Sequence, residues 1–273
     1  MTAVGADAGL LARIEEHFDA SPRSAADVEE HGALTLFVSR IPWRFYGRPR
    51  LGPVEDVGPD DVAAVRARQR ELGVREAFEW VHETTPSLAS AAVAAGLQVL
   101  QVPLLALDAQ DWAPPPAPDG IALRMLEAGD RSLPAAQAVV ELAFAQAGTE
   151  VGEVGTEARD LAAAQLGDLG FLHDRIRTGL TAMAVAESEA DGPLGAGSHQ
   201  VVGAASEVTG VGTLPASRRR GIGAAVTGRL VQNALERGVE VVYLSAADDD
   251  VARAYERLGF RRVGTACFGF PAG

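Results

Sequence analysis

The sequence predicts an α/β protein built in two parts, and three observations carry that expectation. From Ile121 onward, short runs rich in β-branched and apolar residues alternate with alanine-rich stretches of helical period. The proline-rich segment Asp108–Gly120 (DAQDWAPPPAPDG) suits neither a helix nor a central strand and reads as a stiff, extended spacer. It separates an N-terminal part, 1–112, from a C-terminal part, 120–273, with 113–119 as the linker proper. Third, the chain echoes itself. Thr85–Val99 aligns with Asp248–Arg262 at a constant offset, 259 − 96 = 163, which places Ala89, Ala91 and Gly96 on Ala252, Ala254 and Gly259, and Trp80 on Tyr243.

Ile121–Leu126 reads as a strand and Asp130–Ala147 as an alanine-rich helix. Thr156–Arg177 is helical with a break near Gly167–Gly170. Thr181–Glu187 alternates as a half-buried strand, and the turn SEADG leads into another strand that ends near Gly203. In the strand Glu207–Leu214, strict alternation puts Glu207, Thr209, Val211 and Thr213 on one face. Val226, Leu230, Val231 and Ala234 give the helix Ile222–Arg237 its apolar stripe, and Gly238 is placed to cap it. Val239–Leu244 is apolar throughout, as a central strand should be. A last helix, from about Asp250 to Leu258, stops at Gly259, and a strand finishes the chain.

The chain has 273 residues, 47% of them hydrophobic and 22% charged, which suits a soluble globular protein with a sizeable core. No apolar run is long enough to cross a bilayer, so no membrane role is expected. MTAVGADAGLLARIEEHFDA lacks the basic start and apolar stretch of a signal peptide, and a single cysteine, Cys267, excludes an intramolecular disulfide; the cytoplasm is the expected compartment. All 24 basic residues are arginine, which excludes chemistry that needs a lysine. A formal charge of −13 disfavours nucleic acid as a partner and favours cationic acceptors such as amines. His17, His31, His82, His173 and His199 are scattered without metal-ligand spacing, so no metal is expected.

Against that acidity, ASRRRGIGAAV (Ala216–Val226) concentrates three arginines at a helix entrance. Helix N-termini expose unpaired N–H groups and partial positive charge. Gly221 and Gly223 let an anion approach the backbone, and Arg218, Arg219 and Arg220 can add charged hydrogen bonds. The order strand, Pro215, glycine turn and long helix is that of a pyrophosphate cradle. A dinucleotide fingerprint would need a third glycine where Val226 stands, and an acidic residue at the end of the next strand, where none occurs before Asp248. A nicotinamide-dependent oxidoreductase is therefore disfavoured.

Arg218-x-x-Gly221-x-Gly223, entered from Thr213-Leu214-Pro215 and followed by AYERLGF, resembles the GNAT superfamily of acyl-CoA-dependent N-acetyltransferases. The resemblance covers the chain from about Gly120 to its end. It implies a GNAT fold, a central mixed twisted sheet flanked by helices, with the N-terminal part as a second, degenerate GNAT-like half. It further implies acetyl-CoA as acyl donor and an amine, small or peptidic, as acceptor. By resemblance, Val211, Gly212 and Thr213 bind the pantetheine arm and polarise the thioester carbonyl. The backbone from Arg219 and Arg220 through Gly221, Ile222, Gly223 and Ala224 holds the pyrophosphate. Tyr255 matches the tyrosine that protonates the leaving thiolate, and Glu207, eleven residues before Arg218, matches the glutamate base of one branch. Tyr243 stands where other branches carry their base, and Asp248 replaces an asparagine that often touches the cofactor. A non-catalytic acyl-CoA-binding or sensing module is the alternative. Ile41–Arg50 (IPWRFYGRPR) reads first as strand-and-turn packing, with an acceptor-cleft wall or a homodimer contact as its other readings.

Overall fold

The computed structural model describes residues 3–52, 56–107, 109 and 112–272. Residues 108, 110 and 111 of the expected spacer lie outside that range. In chain order, α1 (Ala3–Arg23) precedes β1 (Ala26–His31), β2 (Leu34–Ser39) and β3 (Gly47–Pro49). Then come α2 (Pro59–Glu71), β4 (Phe78–Val81), α3 (Ser87–Ala94) and β5 (Leu97–Leu107). The chain continues with β6 (Ala122–Met125), α4 (Leu133–Ala145), α5 (Thr156–Gln165), α6 (Gly170–Arg177), β7 (Ala182–Ser188), β8 (Gly192–Val202) and β9 (Ala205–Thr213). It closes with α7 (Ile222–Glu236), β10 (Val241–Ser245), α8 (Asp249–Glu256) and β11 (Phe260–Pro271). The helical break expected near Gly167–Gly170 falls between α5 and α6.

Two compact units result, each a mixed sheet flanked by helices. The first comprises Met1–Leu105, Ser245–Asp248 and Arg262–Gly273; the second comprises Ala106–Leu244 and Asp249–Arg261. Strands of the first follow the order β1-β2-β3-β4-β11-β5. β11 runs antiparallel to β4, with Cys267 opposite Trp80, so the last strand of the chain completes the unit that begins it. Leu34, Leu36, Val62, Val65, Phe78, Trp80 and Leu88 form its core with Cys267. Buried Tyr46 donates from its hydroxyl to the Phe18 carbonyl, and buried Arg48 pairs with Glu15, so the IPWRFYGRPR cluster is packed into this unit.

The second unit has the order β10-β9-β8-β7-β6, antiparallel except for β9 and β10, which run parallel. α7 buries Ile222, Val226, Leu230, Val231 and Ala234 against it. It lies close because β8 is glycine-rich: a methyl on Gly197 would stand 3.1 Å from Leu230 Cδ1. The C-terminal turn of α7 closes as expected, with Gly238 at φ +80 and the Val239 N–H donating to the Ala234 carbonyl. α4 packs on β8 and β9 from another face. The proline segment is not a free spacer. Pro115 lies against α7, where a methyl on Gly228 would come within 2.5 Å of its Cδ.

The internal echo is structural as well. β4, α3 and β5 recur as β10, α8 and β11 at the same offset of 163. Gly96 and Gly259 both end their helices in the left-handed region, at φ +83 and +93.

Candidate active site

Two pieces of backbone shape the site, and both belong to the second unit. The first is β9. It pairs with β10 at Ala205↔Val241, Ser206↔Val242 and Glu207↔Tyr243, and no further register joins the two strands among the described residues. β9 continues along β8 as far as Thr213. The strands therefore part at Glu207, and the β10-facing edge of the next six residues carries peptide groups that β10 does not claim.

Gly210, at φ +65, sits in a bulge where the β8–β9 register slips between Ala196 and Ser198. One extra residue reverses the side on which later side chains project. The alternation expected from sequence is corrected accordingly. Glu207 and Thr209 share the α4 face with Gly212, where a methyl would stand 2.7 Å from Ala143 Cβ. Val211 and Thr213 turn to the α7 face: Gly223 of α7 is so placed that a methyl on it would lie 3.4 Å from Thr213 Oγ1.

The second piece is the entrance to α7. Among the described residues, Arg219 is the one non-glycine residue in the left-handed region, at φ 65, and Gly221 follows it there at φ 80. That conformation costs a side-chain-bearing residue about 1–2 kcal/mol, and such strain collects at functional sites. Here it curls successive N–H groups towards one point, an anion-binding nest. Arg219, Arg220 and Gly221 are exposed, whereas Ile222 is buried and anchors the first turn. Intrahelical bonding starts with the Ala225 N–H on the Gly221 carbonyl, so the N–H groups of Ile222, Gly223 and Ala224 have no acceptor within the helix. Arg218 is turned inward. Its guanidinium donates to the carbonyls of Ala143, Gln146 and Glu150, tying the cradle to the end of α4.

Two titratable groups flank the strand opening. Burial pushes the Glu207 carboxyl up to about 7, although part of the residue still reaches solvent. Burial likewise pushes the Tyr255 phenol up to about 12, and its hydroxyl is hydrogen-bonded to Thr227 of α7. The interaction with Thr227 opposes that rise, and Thr227 Oγ1 is also within 2.9 Å of the Gly223 carbonyl, in the first turn of α7. Glu207 thus stands on the α4 face of β9 while Tyr255 reaches towards α7. Tyr243, paired directly with Glu207, is fully buried. Asp248 precedes α8, whose first turn carries Asp249 and Asp250. His199 is a core residue rather than a base: it bonds Ser206 Oγ at 2.8 Å and Asn233 Oδ1 at 2.9 Å, and burial lowers it to about 4. No group of three or more His, Cys, Asp or Glu able to hold a metal occurs among the described residues, and no described helix is long and apolar enough to cross a membrane.

Sequence reasoning missed Gly210 and Thr227. The run Gly210-Val211-Gly212 signalled the bulge, but Thr227 gave no signal, because its role comes from a helix nearly thirty residues away.

The first unit repeats this plan and closes it. At the same offset, 221 − 58 = 163, Gly58 stands for Gly221, and Glu55, Asp56 and Val57 stand for the three arginines. Pro59 offers no N–H, and Asp61 Oδ2 takes the Gly58 N–H at 2.9 Å, so a carboxylate already occupies the α2 entrance. Among the described residues, β3 and β4 pair at Gly47↔Phe78 alone. Beyond that point Arg48 of β3 pairs with Glu15, whose Oε1 accepts the Val81 N–H of β4 at 3.2 Å. An internal ion pair fills the opening.

Residues 169–260 match the family model of the GNAT acetyltransferases. A GCN5-related N-acetyltransferase from Kribbella flavida superposes with a TM-score of 0.70 at 23% identity, over 96% of each chain. A tandem GNAT protein from the clavulanic acid biosynthesis pathway gives 0.57 at 17% identity, over 86% of this chain and 77% of that one. A GCN5-related N-acetyltransferase from Sphaerobacter thermophilus gives 0.56 at 20% identity, over 87% and 80%. No curated protein sequence matches the chain. Acetyltransferases of this family use acetyl-CoA. The chain has the fold of GNAT proteins, tandem ones among them, and its residues 169–260 match the GNAT acetyltransferase family model.

Proposed function

We propose that the protein is an N-acetyltransferase that moves the acetyl group of acetyl-CoA onto an amine by direct attack. The observation that carries this reading is the parting of β9 from β10 beside an exposed, glycine-turned helix entrance, with a high-pKa carboxyl on one face and a phenol on the other. The nest at Arg219–Ala224 takes the pyrophosphate, and the free edge of Val211–Thr213 takes the pantetheine amides. A β9 N–H stabilises the oxyanion as the amine nitrogen bonds to the thioester carbon. Glu207 accepts the proton that the amine sheds. When the C–S bond breaks, the Tyr255 hydroxyl gives its proton to the sulfur and recovers one from solvent. The two protons move on opposite faces of β9, so acceptor and leaving thiol need not compete for space.

The acceptor is a small or peptidic amine, drawn as a cation by the acidity of the chain. A carboxyl lifted to about 7 favours catalysis over the binding-module reading, because a general base works best near the ambient pH. Calorimetric titration with acetyl-CoA is the test, with Gly221→Glu as control. Binding of one acetyl-CoA per chain, abolished by Gly221→Glu, is expected, followed by amine-dependent release of free CoA thiol. A folded wild-type protein that binds no acetyl-CoA overturns the reading; binding without turnover over a broad amine panel leaves the binding module.

A further inference from the structure

Trp112 donates from Nε1 to the Leu258 carbonyl at 2.8 Å, across 146 residues of sequence. Leu258 lies in the turn that closes α8, and its own N–H donates to the Tyr255 carbonyl at 2.9 Å. Two consecutive hydrogen bonds thus link the indole to the backbone of Tyr255. The turn is shaped for this contact. Gly259 sits at φ +93, and a methyl there would stand 3.1 Å from Trp112 Cδ1. Three residues on, Pro115 presses on Gly228 of α7, the neighbour of Thr227, the hydrogen-bond partner of the Tyr255 hydroxyl. Pro118 then reaches the cradle, 3.6 Å from the place a Gly221 methyl would take. The segment from Trp112 to Pro118 therefore braces Tyr255 at both ends, its backbone through Leu258 and its hydroxyl through α7.

We propose that Trp112 is a positioning residue for the thiolate-protonation step, holding α8 so that the Tyr255 hydroxyl stays on Thr227 and faces the strand opening. The catalytic part of this rests on the acid role given to Tyr255 above; the hold on Tyr255 does not. A helix of eight residues has too few internal hydrogen bonds to fix its own end. A carbonyl in its closing turn that loses its donor lets that end fray.

The test is Trp112→Phe, which keeps a ring against Gly259 and removes the N–H, with 3-fluorotyrosine incorporated so that Tyr255 is followed by fluorine NMR. The Tyr255 resonance, assigned by its loss in Tyr255→Phe, should shift and broaden in Trp112→Phe while the Tyr46 and Tyr243 resonances stay in place. In turnover with an accepted amine, kcat should fall about tenfold with KM for acetyl-CoA within about twofold. The Trp112→Phe/Tyr255→Phe double variant should be no slower than Tyr255→Phe alone. An unmoved Tyr255 resonance overturns the proposal. So does a kcat loss that adds in full to that of Tyr255→Phe. If Tyr255→Phe itself turns over at the wild-type rate, the acid reading fails, and the fluorine signal still decides whether Trp112 holds the phenol.

Discussion

Glu207 has a folded-state pKa raised from 4.5 to about 7 by burial, and two effects follow with opposite sensitivity to pH. As a base it must be ionised, so kcat should climb as pH rises through about 7, and Glu207→Gln should remove that limb with a loss of about 10²–10⁴ in rate. For stability the sign is reversed. A carboxyl whose pKa is raised on folding favours the native state below its unfolded value, and that contribution is lost as pH rises through the folded one. Melting curves at pH 4.5 and 8 should therefore show Glu207→Gln gaining on the wild type at the higher pH. Tyr255→Phe should slow turnover about 10–100-fold with KM for acetyl-CoA little changed, and the wild type should show no descending limb below about pH 10, because its phenol is pushed up to about 12. At this scale the glycine turn at Gly221 was legible, because its left-handed backbone follows from neighbours close in the chain. The sequence was silent on the burial of Glu207, which depends on α4 and β10 packing over a strand start that alternation alone reads as exposed.

Among the elements, β9 shows most clearly where pattern reading stops. An alternating run reveals a strand, but a period of two carries no mark of an inserted residue, so the bulge at Gly210 reversed half the expected face. Helices were easier. The stripe and cap of α7 are local, and both stand where the apolar period and Gly238 put them. The contact between α4 and β9 is the one most open to test. A methyl on Gly212 would lie 2.7 Å from Ala143 Cβ and 3.3 Å from the Val140 Cα, so even alanine needs the helix to move. Gly212→Ala should cost about 1–3 kcal/mol by overpacking, lowering Tm by several degrees. Because Arg218 is fastened to the carbonyls at the end of α4, the same substitution should weaken acetyl-CoA binding by calorimetry. Gly167→Ala, with open space around it and no left-handed backbone, should leave that affinity unchanged.

For the molecule as a whole, sequence suggested a cut at the proline segment, and contacts draw a different line. Residues 262–273 belong with the first unit, where β11 pairs with β4, and the proline segment belongs with the second. A fragment of residues 1–112 lacks a strand from the interior of its sheet, so it should show no cooperative melting by circular dichroism, and a chain ended after Arg261 should lose the same transition. The offset of 163 was legible because strand, helix and left-handed glycine recur together; strand order was not, since nothing local records which edge a terminal strand will join.

The place of β11 also sets a timetable. Synthesis delivers the first unit's helices and hairpins early, but the strand that separates β4 from β5 is made only after the second unit's strands and helices. Its partners must wait through the making of the entire second unit with their edges open, a long interval in which the half born first is the half finished last. A chain interrupted before β11 cannot close the unit it started with, and is left with the kind of open sheet edge that invites aggregation and degradation.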